Sequence, residues 1–595
     1  LRRKCFVRGS TGPSIFHWFS SFAKVPIGSP PTSLVGPDRQ LIKTITASNQ
    51  AIAVEFVFYR FFAKDTRMIP YIRETRLLIC LILFSTVALG SASDEVALEF
   101  DKKGLSSIKF RNQEFLGFAG KEAKGEAVAS VWFEGENKQH YEQPPAVDWT
   151  DPHTAVRKYS WGTCTVTYKA GAERLDVAVE FQNQSDKTIN QARCDLFYVR
   201  FPGDKTPLKW DNTDPPRNDD RTAPTVLVAD YGAGKIITVT SDTSTATCTR
   251  WGAKWTAGYQ LSLSSPTKMA PGATIRMSVS CRFCSEQAQP EQVATDAYKT
   301  FREQHPSLLR WTDRRPIGAL MLANVNKKWP TNPRGWLNTP HLNVFTPRGH
   351  SEFRSLVMQK VGSSISNMRQ INAQGVIVWD IEGAQYPQGE ATYVGDPRIL
   401  KRVAPEMDAI ADELFGKFRQ AGFRVGVCLR ADEIHFRPNG SFYQKMFTTA
   451  DELFKSLDER IDYARSRWGC SLFYIDSYGG TPAYNPLVLK QLLQKHPDVL
   501  LIPEFEQTLT YAFAAPYKEL RPMGKNPGTA STPKRALTLY PDAFTVINTS
   551  DGDLIGRRTE LLGAVRRGDV LLFRAWWGDE GFQRVRSIYK EGIKR

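Results

Sequence analysis

A chain of 595 residues is too long for one hydrophobic core and implies two or three domains. Its 41% hydrophobic and 24% charged residues suit globular domains and exclude wholesale disorder. The formal charge of +16 invites a nucleic-acid reading. However, residues 1–67 alone hold ten Lys/Arg against three Asp/Glu, and no basic stripe interleaved with aromatics follows them.

Met68 opens a segment with Arg73 and Arg76, an apolar run from Leu77 to Gly90, and small residues at Gly90-Ser91-Ala92. The run of 14 residues falls short of the about 20 needed to span a bilayer. Residues 68–92 are therefore expected to be a signal peptide, residues 1–67 upstream read-through without fixed structure, and the mature protein secreted or periplasmic, with no stable membrane insertion. Seven cysteines follow Cys80, five of them between Cys164 and Cys284. Export would permit disulfides there, and the odd number leaves at least one thiol. Cys281-Arg282-Phe283-Cys284 is an isolated pair without a nearby His, and His153, His341, His350 and His435 are scattered, so neither metal nor cofactor is expected.

Residues 94–290 alternate apolar and polar residues in short runs broken by Gly, Pro, Asn and Asp. Leu175-Asp176-Val177-Ala178-Val179-Glu180-Phe181 is one example, and the pattern predicts a β-sandwich. Residues 291–315 form a linking helix that Pro306 ends, its Phe301, Leu308, Leu309 and Trp311 suggesting docking. The stretch around Trp210-Asp211-Asn212 is a candidate loop to reach a neighbouring cleft.

From residue 316 to 595 the rhythm becomes strand, helix, strand. Met407, Ile410, Ala411, Leu414, Phe415 and Phe418 define one helix face, which Gly422 terminates. Such alternation forces parallel pairing. Strands are predicted near 316–323, 375–381, 423–430, 471–477, 498–504, 543–549 and 569–575, with an eighth unplaced. The fold class expected is thus multidomain, an N-terminal β-sandwich followed by a (β/α)8 (TIM) barrel. An open doubly wound sheet is the alternative, but no GxGxxG turn follows any strand.

Several of these strands run apolar and then end in an acid. Leu472-Phe473-Tyr474-Ile475-Asp476 and Leu500-Leu501-Ile502-Pro503-Glu504 do so on successive strands, which would project two carboxylates into one cavity at the barrel rim. Paired carboxylates are the machinery of glycoside hydrolysis, about 5–5.5 Å apart for retention and 6.5–9.5 Å for inversion. Asp476 and Glu504 are the catalytic candidates, and Asp551 after the 543–549 strand is the alternative acid/base. Glu506 is more simply an ion-paired loop residue. Asp380, Glu382, Arg430, Tyr474 and Trp576 are candidate substrate-binding groups, because sugars present hydroxyls around an apolar ring face.

A sandwich, a linking helix and a barrel with an Asp ending strand four resemble the layout of secreted retaining α-glycosidases with a galactose-mutarotase-like sandwich. Phe473-Tyr474-Ile475-Asp476 with Ile502-Pro503-Glu504 is similar to the endo-α-N-acetylgalactosaminidase type, which implies a strand-four nucleophile and a strand-five acid/base. Asn548-Thr549-Ser550-Asp551 and Trp379-Asp380 are similar to melibiase-type α-galactosidases, which implies a strand-six acid/base and a strand-two Asp that grips hydroxyls. The leading expectation is an exported glycoside hydrolase acting on α-linked oligosaccharides or polysaccharides. The alternative is a non-catalytic carbohydrate-binding or surface scaffold protein on a decayed barrel, for which both candidate carboxyl pairs should lie beyond about 10 Å.

Overall fold

The structure is a computed structural model that describes residues 94–593, apart from 120–121, 124, 144, 201–222, 232, 241–244, 251–257, 266, 325–327, 386–392, 479–483, 505, 521–529 and 575–578. The segments 1–67 and 68–92 and the candidate loop at Trp210-Asp211-Asn212 therefore lie outside the described residues. Within them no helix is long and apolar enough to cross a membrane.

The N-terminal half contains two large antiparallel sheets, one of seven strands and one of five. Alternation builds them: along Arg174–Asn183, Leu175, Val177, Val179 and Phe181 are buried while Ala178 and Gln182 are exposed. The facing strand Ile189–Arg200 of the other sheet buries Ala192, Cys194 and Leu196 in the same core. Cys164 and Cys194 meet between the sheets through a side-chain hydrogen bond, and the six cysteines whose side chains are described are all free thiols.

Residues 290–304 form two short helices, Pro290–Val293 and Thr295–Gln304, that tie the halves together. Arg282 of the sandwich pairs with Asp296 at 2.7 Å, and Glu291 with Lys534 of the barrel at 3.0 Å. Phe301 and Leu309 join the barrel's own hydrophobic core, and Leu308 N donates to Ala512 O at 2.8 Å. The connection is packed, which restricts independent motion of the halves.

The C-terminal half is an eight-stranded parallel barrel: β1 (Ile317–Leu320), β2 (Gly375–Val378), β3 (Arg424–Arg430), β4 (Cys470–Asp476), β5 (Leu500–Pro503), β6 (Tyr517–Glu519), β7 (Val546–Asn548) and β8 (Val570–Arg574). Neighbours pair in parallel from β5 back to β1, then through β8 and β7 to β6. Ala515 N donates to Leu501 O at 3.0 Å, across the remaining seam between β5 and β6. The fold class read from the sequence is the one observed. The unplaced strand is β6, whose three residues carry too little periodicity to be recognised. Its presence makes the 543–549 segment strand seven, so Asp551 does not follow strand six.

The helices begin and end as their local chemistry dictates. Thr346 caps α1 (Pro347–Gln370), its Oγ1 accepting from Gly349 N at 3.1 Å, and Pro347 sits in the first turn where its missing N–H costs nothing. The helix α2 (Pro405–Gln420) buries the face predicted above. A reciprocal Thr449–Glu452 capping box opens α3 (Ala450–Trp468), and Gly469, at φ 71°, closes it. One element was not foreseen: between β3 and α3 the chain forms an antiparallel hairpin, Asp432–Phe436 with Phe442–Met446.

Candidate active site

Register explains why three charged groups converge. Arg430 is the direct partner of Asp476 across the β3–β4 ladder, and Glu504 continues β5 beside them, its N–H donating to Ile475 O at 3.0 Å. The three residues thus occupy one level at the C-terminal ends of adjacent strands, the rim at which barrel enzymes carry their chemistry. Arg430 Nε lies 2.9 Å from Asp476 Oδ2. The Glu504 carboxyl hydrogen-bonds that of Asp476 and also accepts from Ser477 N at 2.7 Å.

Ser477 is the hinge of this arrangement. Its backbone is left-handed at φ 57°, a conformation costly for a residue with a Cβ, and this turns the N–H towards Glu504. Its hydroxyl donates to Asp476 Oδ1 at 3.3 Å. Burial first, and then the Asp476 charge, raise the Glu504 pKa to about 7, against the lowering effect of the Ser477 amide. A carboxyl that keeps its proton near neutrality can serve as a general acid.

Under this pair the barrel is filled with aromatic rings from alternate strands. Tyr474 stacks on Trp379 with centroids 4.2 Å apart, and Tyr517 closes on Tyr474 at 5.0 Å. The layering is that of a packed barrel interior, and Trp379 and Tyr474 are both buried.

Asp380 and Glu382 are both buried beyond the end of β2. Asp380 accepts from Leu322 N at 2.9 Å and from Ala323 N at 2.7 Å, so it clamps the loop after β1. Burial raises its pKa to about 7 despite those donors. Glu382 is fully buried, neither carboxylate oxygen makes a well-aligned hydrogen bond among the described residues, and burial raises its pKa to about 8 against the lowering effect of the Glu382 and Asp396 amides nearby. Glu506 is held by Tyr511 Oη at 2.6 Å and by Lys518, as an ion-paired loop residue. The Asp551 backbone begins the helix Asp551–Gly556, capped by Ser550 and Asp553; its side chain, and Trp576, lie outside the described residues.

Sequence reasoning missed several residues of the rim. Glu519 ends β6, its Oε2 accepting from Tyr517 Oη at 3.0 Å and Asn548 Nδ2 at 3.1 Å. Gln444 of the hairpin accepts from Arg430 Nη1 at 3.0 Å. Arg460 of α3 is buried and donates to the carbonyls of Gly395 (3.0 Å), Arg430 (2.6 Å) and Asp432 (2.6 Å), fixing the end of β3. The only available signal for Arg460 was a charge on the apolar face of α3.

Two other features lie away from this rim. A cavity of about 540 Å³ sits between the seven-stranded sheet and the helix Thr295–Gln304, but its Arg174, Asp176, Arg282 and Asp296 pair with one another. Asp458, Asp462 and His496 cluster on and after the outer helices, where Lys495 already pairs with Asp458 at 2.5 Å. That ammonium competes with any cation.

No protein-family model and no curated protein matches this sequence. Among solved structures, the ligand-free α-N-acetylgalactosaminidase NagBb of Bifidobacterium bifidum is similar over 84% of this chain and 92% of its own, at 11% identity and a TM-score of 0.50. A GH36 α-galactosidase of Geobacillus stearothermophilus in complex with stachyose aligns over 84% of this chain and 85% of its own, at 9% identity and a TM-score of 0.44. An α-galactosidase from Lactobacillus brevis covers 82% and 75%, at 11% identity and a TM-score of 0.41. At such identity the likeness to the Bifidobacterium protein shows the fold, a sandwich followed by a barrel.

Proposed function

We propose that this chain is a glycoside hydrolase acting on α-linked sugars by a retaining mechanism, with Asp476 as nucleophile and Glu504 as acid/base. The observation that carries the reading is the hydrogen-bonded pair itself: an Asp facing the Arg430 guanidinium beside a Glu whose pKa stands near 7. Two carboxyls in contact also run against the scaffold alternative. The activity of the α-N-acetylgalactosaminidase neighbour supports the choice of α-glycosides.

In the first step Asp476 attacks the anomeric carbon while protonated Glu504 gives its proton to the departing glycosidic oxygen. In the second, the Glu504 carboxylate takes a proton from water, which attacks the same carbon and releases Asp476. A sugar that enters between the two carboxyls replaces their mutual hydrogen bond as it binds. The backbone amide of Ser477 then keeps Glu504 in place. The melibiase-type likeness put its acid on strand six, and that position is Glu519 here. The apolar run from Leu77 to Gly90 supports export.

The test is a screen of aryl α-glycosides, with the anomeric outcome followed by NMR. Asp476→Asn and Glu504→Gln should each lose most activity, and azide should restore turnover of activated substrates. Wild-type rates in either variant without azide would remove that residue from its role; loss in Glu519→Gln with retention in Glu504→Gln would move the acid to strand six.

A further inference from the structure

The hairpin Asp432–Phe436/Phe442–Met446 meets the rim at Arg430, through Gln444, and brings Asp432 within electrostatic reach of Asp476. Ladder pairing sets Ile434 opposite Gln444 and Asp432 opposite Met446. Phe442, on the same face as Gln444, packs with Val394, Ile399, Ile434 and Phe436, which fixes that face inward.

Gln444 is oriented by chemistry that leaves no choice. A guanidinium only donates, so the Gln444 atom 3.0 Å from Arg430 Nη1 must be the carbonyl oxygen, and the amide nitrogen must point elsewhere. That Nε2 is buried and has no hydrogen-bond partner among the described residues. A buried donor left unpaired is costly, and an acceptor supplied by a ligand would satisfy it. Asp432 stands two residues beyond Arg430, where the chain bends out of β3 to begin the hairpin. Its carboxyl interacts with both Arg430 and Asp476, and Arg460 holds its carbonyl at 2.6 Å. One donor, on the residue that Arg430 binds, and one acceptor, within electrostatic reach of Asp476, thus stand beside the nucleophile.

We propose that the hairpin is a sugar-recognition element, in which Gln444 Nε2 donates to one ring hydroxyl and the Asp432 carboxylate accepts from another. The inference rests on the glycosidase reading and names the ligand class of that same site, a pyranoside with free hydroxyls beside its reactive carbon. The hairpin selects which sugar is accepted, and the strand-end carboxyls carry out the reaction.

The test uses the full chain with Gln444→Ala, Gln444→Glu and Asp432→Ala, on the best aryl α-glycoside of the screen and by calorimetry with free monosaccharides. Each variant should raise KM, or the monosaccharide Kd, about five- to tenfold with kcat within about twofold, the mark of a lost contact made equally in ground and transition states. Gln444→Glu separates contact from support, because it keeps an oxygen for Arg430 but has no amide donor. If it restores wild-type KM while Gln444→Ala does not, Gln444 only positions Arg430 and the inference falls. Unchanged KM and Kd in Gln444→Ala and Asp432→Ala, with an active wild type, would overturn the hairpin's role and leave the hydrolase reading standing. A wild type that binds a monosaccharide without hydrolysis would sink the hydrolase reading, with Kd still judging the hairpin. Neither binding nor turnover by the wild type would defeat both.

Discussion

Glu504→Gln should make the barrel more stable at pH 8 and nearly neutral at pH 5. An ordinary Glu titrates near 4.5, whereas burial and then the Asp476 charge raise Glu504 to about 7. Between those values the folded chain holds a proton that the unfolded chain has released. Stability therefore falls as pH rises through this window, and the loss is complete above the folded pKa. A difference of that size corresponds to about 3 kcal/mol at pH 8. Glutamine keeps the shape and an oxygen for the Ser477 amide but carries no charge. Allowing for the weaker hydrogen bonds of a neutral amide, the expected gain is about 1–3 kcal/mol at pH 8, shrinking to within about 1 kcal/mol at pH 5. Urea unfolding followed by tryptophan fluorescence at the two pH values measures it. Asp380 and Glu382 are also raised, but they are present in both proteins and cancel in the comparison. An identical change in stability between pH 5 and 8 in wild type and variant would refute the assigned environment of Glu504.

Three further outcomes follow from the same geometry. Arg460→Met removes the donors to the carbonyls of Arg430 and Asp432, takes one of two donors from that of Gly395 and leaves the buried Asp396 without the guanidinium 3.3 Å away, and should cost about 3 kcal/mol in chemical denaturation, with part of the loss appearing as misplacement of Arg430 and lower kcat. Glu382→Met removes a buried acid without a well-aligned hydrogen bond whose pKa is about 8; because that pKa is raised, wild type loses stability as pH climbs towards 8, and the variant should gain about 2–4 kcal/mol at pH 9 and far less at pH 5, read from unfolding midpoints. At Ser477, held at φ 57°, Ser477→Val should lower stability by about 2 kcal/mol while Ser477→Gly, which keeps the amide for Glu504, should change it by under about 1 kcal/mol in thermal unfolding.

The architecture was legible because its signals are local. Two-residue alternation over residues 94–290 and the strand–helix rhythm after 316 report, run by run, which face of each element leaves water. An apolar run that stops at an acid marks a strand end without reference to the rest of the chain, so Asp476 and Glu504 could be singled out from sequence alone. What lay beyond reach depends on register and closure. Tyr517-Lys518-Glu519 is a strand only because β7 and the seam with β5 lend it hydrogen-bond partners, and its place in the order decides that Glu519, and not Asp551, ends strand six. Asp380 and Glu382 look alike in sequence as strand-end acids. Only the packed loop after β1 gives one of them two backbone amides and leaves the other buried without a well-aligned hydrogen bond. The left-handed turn at Ser477, the reach of Arg460 from an outer helix and the enforced orientation of Gln444 likewise arise from contacts across 27, 30 and 14 residues of chain. Burial patterns belong to each segment, whereas the juxtaposition of strand ends that sets Glu504 beside Asp476 belongs to the closed barrel.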